Sequence, residues 1–211
     1  MFKKITRKKL EFFLKRYATS KKVLDIGSGG SSYEKFFPNR LSIDIDPDRK
    51  PDIVADAHHL PFKDGEFEVI LSTEMLEHAK DPFQVEREIR RVTASDGVLI
   101  LSTRFVFPIH DSPNDYWRFS KYGLRELFKE WDIVEIVAET KNFSTIGALF
   151  QRICFQSELR FNKPMKLILF FIAWIFSKID GLTRREFGDI KKEVPEKEIM
   201  PAGYYIVCQK R

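Results

Sequence analysis

Three clusters of residues in this 211-residue chain have types and spacing that could do chemistry. The first is Asp25-Ile26-Gly27-Ser28-Gly29, at the end of the apolar run Val23–Ile26. Glycines there let the backbone approach a ligand closely and adopt turns that a Cβ would forbid. The second is Asp44-Ile45, which ends the apolar run Leu41–Ile45 nineteen positions after Asp25. A carboxylate at that tip can accept both hydroxyls of a ribose. The third is Phe107–Ser120, FPIHDSPNDYWRFS, with His110, Asp111, Asp115, Tyr116, Trp117 and Arg118 within nine positions. Histidine titrates near neutrality, so His110 beside Asp111 is a candidate acid–base pair. Arg118, with Asp115 and Tyr116, is a candidate grip on an acceptor's carboxylate or phosphate.

Elements that could position these clusters follow from the pattern of apolar residues. Short apolar runs at Val23–Ile26, Leu41–Ile45, Ile53–Ala55, Phe67–Ser72, Val98–Ser102, Ile133–Ala138 and Tyr204–Gln209 read as strands. Asp81–Val92 reads as a helix with Asp81 as its cap and Pro82 at its first position, and Ser120–Phe128 as another. Asp96-Gly97 supplies a turn into the next strand. Strands alternating with helices imply right-handed crossovers and a mostly parallel sheet covered on both faces. Open sheets of that kind bind ligands beyond the carboxyl ends of their strands, where all three clusters fall. A helix after the glycines would offer free N–H groups to an anion, although SSYEKFFPNR leaves room only for a short one.

Composition narrows the class. The chain is 43% hydrophobic and 32% charged with a net charge of +5, so one sizeable core is expected and wholesale disorder is not. Cys154 and Cys208 are far apart and lack metal-ligand spacing, so no metal and no cysteine nucleophile is expected, and a cytoplasmic location fits. Residues 1–20 read as a basic N-terminal helix. Residues 141–200 form an insertion before the last strand, much longer than an ordinary connection. Within it Phe143, Ile146, Phe150 and Ile153 share a helical face, and Leu167–Phe176, LILFFIAWIF, is ten apolar residues in a row. A membrane span needs roughly 20, so this run must be enclosed by protein, a partner or a lipid interface. Lid or dimer packing is the first expectation. Contact with an anionic membrane surface is the second, because basic residues flank the run.

Two nucleotide signatures fail. G-x-G-x-x-G would need glycine where Ser32 stands, and no Gly-Lys-Ser/Thr follows for a P-loop. The remaining D-x-G-x-G resembles motif I of class I S-adenosylmethionine-dependent methyltransferases. LSIDIDP (41–47) is similar to that family's second motif, and ADAHHLPFKDGEFEVILSTEMLEH (55–78) to its third and fourth. The resemblance covers roughly residues 20–140 and resumes at the last strand. It implies an α/β, Rossmann-like, seven-stranded mostly parallel sheet with the last strand antiparallel. S-adenosylmethionine is the implied cofactor, at Asp25, Gly27, Ser28, Gly29, Asp44 and Ile45, with Asp56 and Ala57 near adenine and Ser72 and Glu74 near the methionine part. Serine at position 31 replaces a residue that is commonly glycine, and is small enough to keep the turn.

The resemblance implies methyl transfer, and the reading is of a small-molecule, saccharide or lipid-linked acceptor modified at oxygen; such a family has no universal catalytic residue, so the local candidates are His110, Asp111 and His78. Stretches like H..P.D.WRFS point the same way. A nucleic-acid methyltransferase ranks second, because STEMLE lacks the Asn/Asp-Pro-Pro-aromatic motif of base-modifying enzymes. A binding protein that keeps the fold without catalysis is the alternative from another class, and the intact Asp44 and glycines speak against it.

Overall fold

A computed structural model describes residues 4–30 and 33–211, so Ser31 and Ser32 lie outside the described residues. The first helix, α1 (Ile5–Lys15), is shorter than residues 1–20 and buries Leu10, Phe13 and Leu14. β1 (Val23–Ile26), β2 (Arg40–Asp44), β3 (Ile53–Val54) and β4 (Phe67–Thr73) follow the expected runs within about a residue. Every residue of β1 is buried, as a central parallel strand covered on both faces requires.

No helix separates β1 from β2 among the described residues. Only a turn stands there, with the N–H groups of Phe36 and Phe37 donating to the carbonyl oxygen of Tyr33. The expected anion site at a helix N-terminus is therefore corrected. Between Ile26 and Arg40 the chain must fit three glycines and Pro38, leaving too little for a helical nucleus.

After β4, helix α2 (Pro82–Val92) starts where Asp81 accepts from the N–H groups of Phe83 and Gln84. β5 (Thr93–Arg104) begins five residues before Val98. The Asp96-Gly97 turn becomes a bulge inside this strand, with Asp96 at φ 59° and the pairing with β4 shifting between Phe67 and Val69. Helix α3 (Lys121–Leu127) is capped by Ser120, and β6 (Trp131–Ala138) comes next.

Helices α4 (Asn142–Gln156) and α5 (Asn162–Phe176), the two-residue strands β7 (Glu186–Phe187) and β8 (Pro195–Glu196), and β9 (Gly203–Lys210) complete the chain. The seven-stranded sheet runs in the order β3-β2-β1-β4-β5-β9-β6. β1 pairs in parallel with β2 and β4, and β4 with β5. At the start of β9 the direction reverses: Phe105 N–H donates to Ala202 O and Val106 N–H to Pro201 O. One strand of the sheet is antiparallel, as expected.

The chain divides into two compact units. One comprises Phe13–Arg104, Ile109–Val137 and Tyr204–Arg211; the other comprises Met1–Phe12, Phe105–Pro108 and Ala138–Gly203. In the second, α4 buries Ser144, Thr145, Gly147, Ala148 and Cys154, whereas Ile153 is exposed. The expected face of Phe143, Ile146, Phe150 and Ile153 is thus not the one that the helix buries. Small residues permit close approach: a Cβ on Gly147 would stand 2.8 Å from the carbonyl oxygen of Ala173 on α5. Phe143 and Phe150 pack on Phe176 from the flank.

Candidate active site

The site is built from the carboxyl ends of four neighbouring strands. After β1, Gly27, Gly29 and Gly30 all have positive φ, near 70°, 56° and 69°. A Cβ on Gly27 would meet Met75 Cγ at 2.2 Å, so this position needs glycine for space as well as conformation. The N–H groups of Gly27 and Ser28 donate to the carbonyl oxygen of Ile43 in β2. Gly29 N–H donates to Asp44 Oδ2 at 2.8 Å, and Asp46 N–H to Asp44 Oδ1 at 3.0 Å. Each oxygen keeps a lone pair for a diol. Beyond Asp44, Ile45 is an exposed apolar surface.

Asp25 has a different place from the rest of its cluster. It is fully buried, and Arg40 Nη1 donates to its Oδ2 at 2.5 Å. Burial pushes its carboxyl up to about 6, against the pull of Arg40. Asp25 therefore fixes the strand beneath the glycine turn rather than touching a ligand. Ser72, inside β4, is likewise fully buried, whereas Ala57 is half-buried. Glu74 sits at φ 56°, donates its N–H to the Ser102 carbonyl and pairs with the buried Arg104.

Asp56 accepts from His58, through the backbone N–H at 2.9 Å and ring Nδ1 at 2.6 Å. Partial burial raises the Asp56 carboxyl, but these bonds prevail and hold it below its ordinary value. His58 Nε2 accepts from Asp81 N–H, so this imidazole braces the loop at Asp56 onto the start of α2.

On the other side of the crevice, Glu77, His78 and His110 converge, with one ligand-type atom from each lying within 4.8 Å of the others. Glu77 is fully buried; burial raises its carboxyl and Arg104 opposes the rise. Thr103 Oγ1 donates to Glu77 Oε2 at 2.8 Å, and His110 Nε2 lies 3.8 Å from Glu77 Oε1. His78 Nδ1 donates to Asn114 O at 2.6 Å, and the His78 and His110 rings stand 4.7 Å apart. The N–H groups of Tyr116 and Trp117 donate to Glu77 O, pinning the 110–118 stretch against the short turn Leu76–His78 that follows β4.

The carboxylate that serves His110 is Asp115 instead of Asp111. His110 N–H donates to Asp115 Oδ2 at 3.0 Å and its ring Nδ1 lies 3.4 Å from the same oxygen, while Asp111 is exposed. Five residues of loop bring Asp115 back under the ring, and adjacency in sequence points Asp111 outward. Arg118 forms a bidentate pair with Asp115 at 2.6 and 2.8 Å and holds its carboxyl well below the usual range. Its expected grip on a substrate anion is corrected to this internal pairing, with Asp115 as the buried anchor. Tyr116 is exposed and its hydroxyl donates to Asn114 Oδ1.

Sequence reasoning did not single out Arg40, Met75 or Arg104 for the site, and of the pair Glu77-His78 it assigned chemistry to the histidine alone. An arginine opening a strand beside a buried aspartate, and another closing an apolar strand, were the available signals. Burial raises the Cys154 thiol and pushes that of Cys208 up to about 12.

Residues 24–101 match the family described as "Methyltransferase domain". An uncharacterized protein of Methanocaldococcus jannaschii is 25% identical over 66% of this chain and 74% of its own length. An uncharacterized methyltransferase of Mycobacterium sp. (strain KMS) is 31% identical over 38% of this chain, and the match spans only 37% of that protein. Among solved structures, Haemonchus contortus phosphoethanolamine N-methyltransferase 2 shares the fold with a TM-score of 0.58 and 17% identity, over 97% of this chain and 52% of that one. By that match the segment 24–101 is a methyltransferase domain.

Proposed function

We propose that this enzyme transfers a methyl group from S-adenosylmethionine to an oxygen of a small-molecule, saccharide or lipid-linked acceptor. One observation carries the reading: Met75 closes on Gly27 of the glycine turn, and two residues later the same segment delivers Glu77 and His78 to the histidine cluster. Cofactor cradle and acceptor chemistry are thereby tied to one short stretch of chain.

The residues fit the cofactor. Gly27, Ser28 and Gly29 would cradle its methionine part beside Glu74, Asp44 would take the ribose diol, and Asp56 with Ala57 would face the adenine. Asp25 and Ser72 act from behind, by fixing the strands. When bound, the cofactor supplies a sulfonium methyl that is already electrophilic, so the protein's task is alignment and exclusion of water. A hydroxyl acceptor must also shed a proton, and the Glu77–His78–His110 cluster is the polar group suited to help it.

For the place of action, the exposed face of α5 supports a membrane surface. Leu167, Ile168, Phe171, Trp174 and Ile175 are exposed on one arc of the helix, while Ala173 on the opposite side is buried. Exposed Lys163 and Lys178 stand at its two ends. No helix among the described residues is long and apolar enough to cross a membrane. An apolar arc ended by cations suits the interface of anionic lipids, where a cytoplasmic enzyme would meet a lipid-linked acceptor.

The experiment is transfer of radiolabelled methyl from S-adenosylmethionine into separated lipid, saccharide and RNA fractions of a cell extract. Label in the lipid or saccharide fraction is expected; label in RNA alone would install the nucleic-acid reading instead. Flotation with anionic liposomes at low salt tests the surface. Protein left unbound that self-associates with rising concentration would assign the α5 arc to a homodimer.

A further inference from the structure

The Glu77–His78–His110 cluster has a property that proton handling alone does not demand. Glu77 and His78 are each held through one polar atom by a hydrogen bond, and a carboxylate stands beside the ring of His110. Thr103 Oγ1 donates to Glu77 Oε2, so Oε1 remains, buried and without a hydrogen bond. Asn114 O accepts from His78 Nδ1, which fixes the proton there and leaves the Nε2 lone pair. Asp115 stands 3.4 Å behind His110 Nδ1, and His110 Nε2 points to within 3.8 Å of Glu77 Oε1.

Second partners of this type, a carboxylate, a backbone carbonyl and a hydroxyl, are what orient and fix the tautomers of metal-binding imidazoles and carboxylates. Two imidazoles and one carboxylate on one side of an ion leave its remaining positions open. Ligand atoms about 2.0–2.1 Å from a common ion stand roughly 3–3.5 Å apart; the 3.8 Å between His110 Nε2 and Glu77 Oε1 is already near that spacing, and the rest of the cluster, within 4.8 Å, would draw in around the ion.

We infer that Glu77 Oε1, His78 Nε2 and His110 Nε2 bind a divalent first-row transition-metal ion. The absence of cysteine spacing argued against a metal in the sequence, but this donor set is nitrogen and oxygen only, drawn from the end of β4 and from the loop after β5. The set excludes magnesium and calcium as preferred occupants, since both favour all-oxygen coordination. Binding of the ion stands on the cluster alone. Its use rests on the methyl-transfer reading: an acceptor hydroxyl on an open position would lose its proton to water at a lower pH, the O–H electron pair staying on oxygen for the attack.

The test uses the full chain without a histidine tag, freed of metal by a chelator and titrated with Zn2+ by calorimetry and with Co2+ by visible absorption. One equivalent is expected to bind at micromolar concentration or tighter, with Co2+ developing a visible ligand-field band. His78→Ala and His110→Ala are each expected to weaken Zn2+ by at least about 100-fold, and Asp115→Asn by about 10–100-fold. Circular dichroism checks that the variants fold, and the Co2+ band of the unaltered protein reports nitrogen ligation should they not. Wild-type protein with no binding tighter than about 1 mM, or a folded His110→Ala that binds as well as wild type, would overturn the proposal. S-adenosylmethionine titrated into the same metal-free protein separates the two readings. Cofactor binding without metal binding removes the ion alone; metal binding without cofactor binding upholds the ion and removes the transfer reading.

Discussion

The backbone N–H of Gly29 donates to the carboxylate of Asp44 across 2.8 Å, so the turn that ends β1 and the acid that ends β2 are one assembly. A ligand that reads the acid must also pass the glycines. Changes in either half are therefore expected to appear in cofactor affinity, and changes beneath them mainly in stability.

Gly27→Ala is expected to be costly on two grounds. Its φ of 70° is a conformation that L side chains resist, at about 1–2 kcal/mol, and its Cβ would collide with Met75 Cγ, at about 1–3 kcal/mol more. Denaturant unfolding should show the sum. Adding Met75→Ala should recover the collision part and leave the conformational part, which a double-mutant cycle resolves. A Gly27→Ala chain as stable as wild type would mean that the turn is not built this way.

Asp25 gives a pH dependence with a definite sign. Its folded pKa of about 6 lies above its ordinary 3.8, so the stability it contributes is present below 3.8 and is lost as pH rises through about 6. Wild type should therefore lose ground to Asp25→Asn between pH 4 and pH 7, on the order of 2–3 kcal/mol. Urea midpoints measured at several pH values check this. Parallel profiles for the two proteins would show that Asp25 is ionised in the fold without penalty.

Arg118→Met removes both hydrogen bonds to Asp115, whose side chain is 2% exposed, and leaves a nearly buried carboxylate without its cation. Because Arg118 itself is partly open to solvent, the loss should be about 1–3 kcal/mol, below the range for fully buried pairs. Arg118→Lys should recover only part of it, since an ammonium cannot reproduce the fork. Thermal unfolding measures both. If Arg118 instead gripped substrate, KM would rise in these variants with Tm unchanged.

Much of the architecture was legible because apolar runs and their punctuation are local. VLDI, FEVILST and the Asp81-Pro82 cap each state their element in a few residues. That no helix follows β1 among the described residues was less legible, because the family's alternation of strand and helix competes with the shortness of the connection. Asp115 replaced Asp111 for a similar reason. Adjacent side chains on a loop point apart, and the partner of a histidine is set by where the chain returns. The small-residue face of α4 was hidden because hydrophobic periodicity weights large side chains, whereas close helix packing selects small ones. The pairs Asp25–Arg40 and Glu77–Thr103 join residues on different elements, and no spacing in the sequence declares them.

Calorimetric titration of S-adenosylmethionine into wild type and Asp44→Ala tests the central claim most directly. Wild type is expected to bind at micromolar concentration, and the variant at least about tenfold more weakly, a loss of about 1.4 kcal/mol or more. The variant should fold normally, because Asp44 lies at the half-exposed tip of β2. Equal affinity in the two proteins would contradict the placement of the ribose at Asp44 and, with it, the cofactor site proposed between β1 and β2.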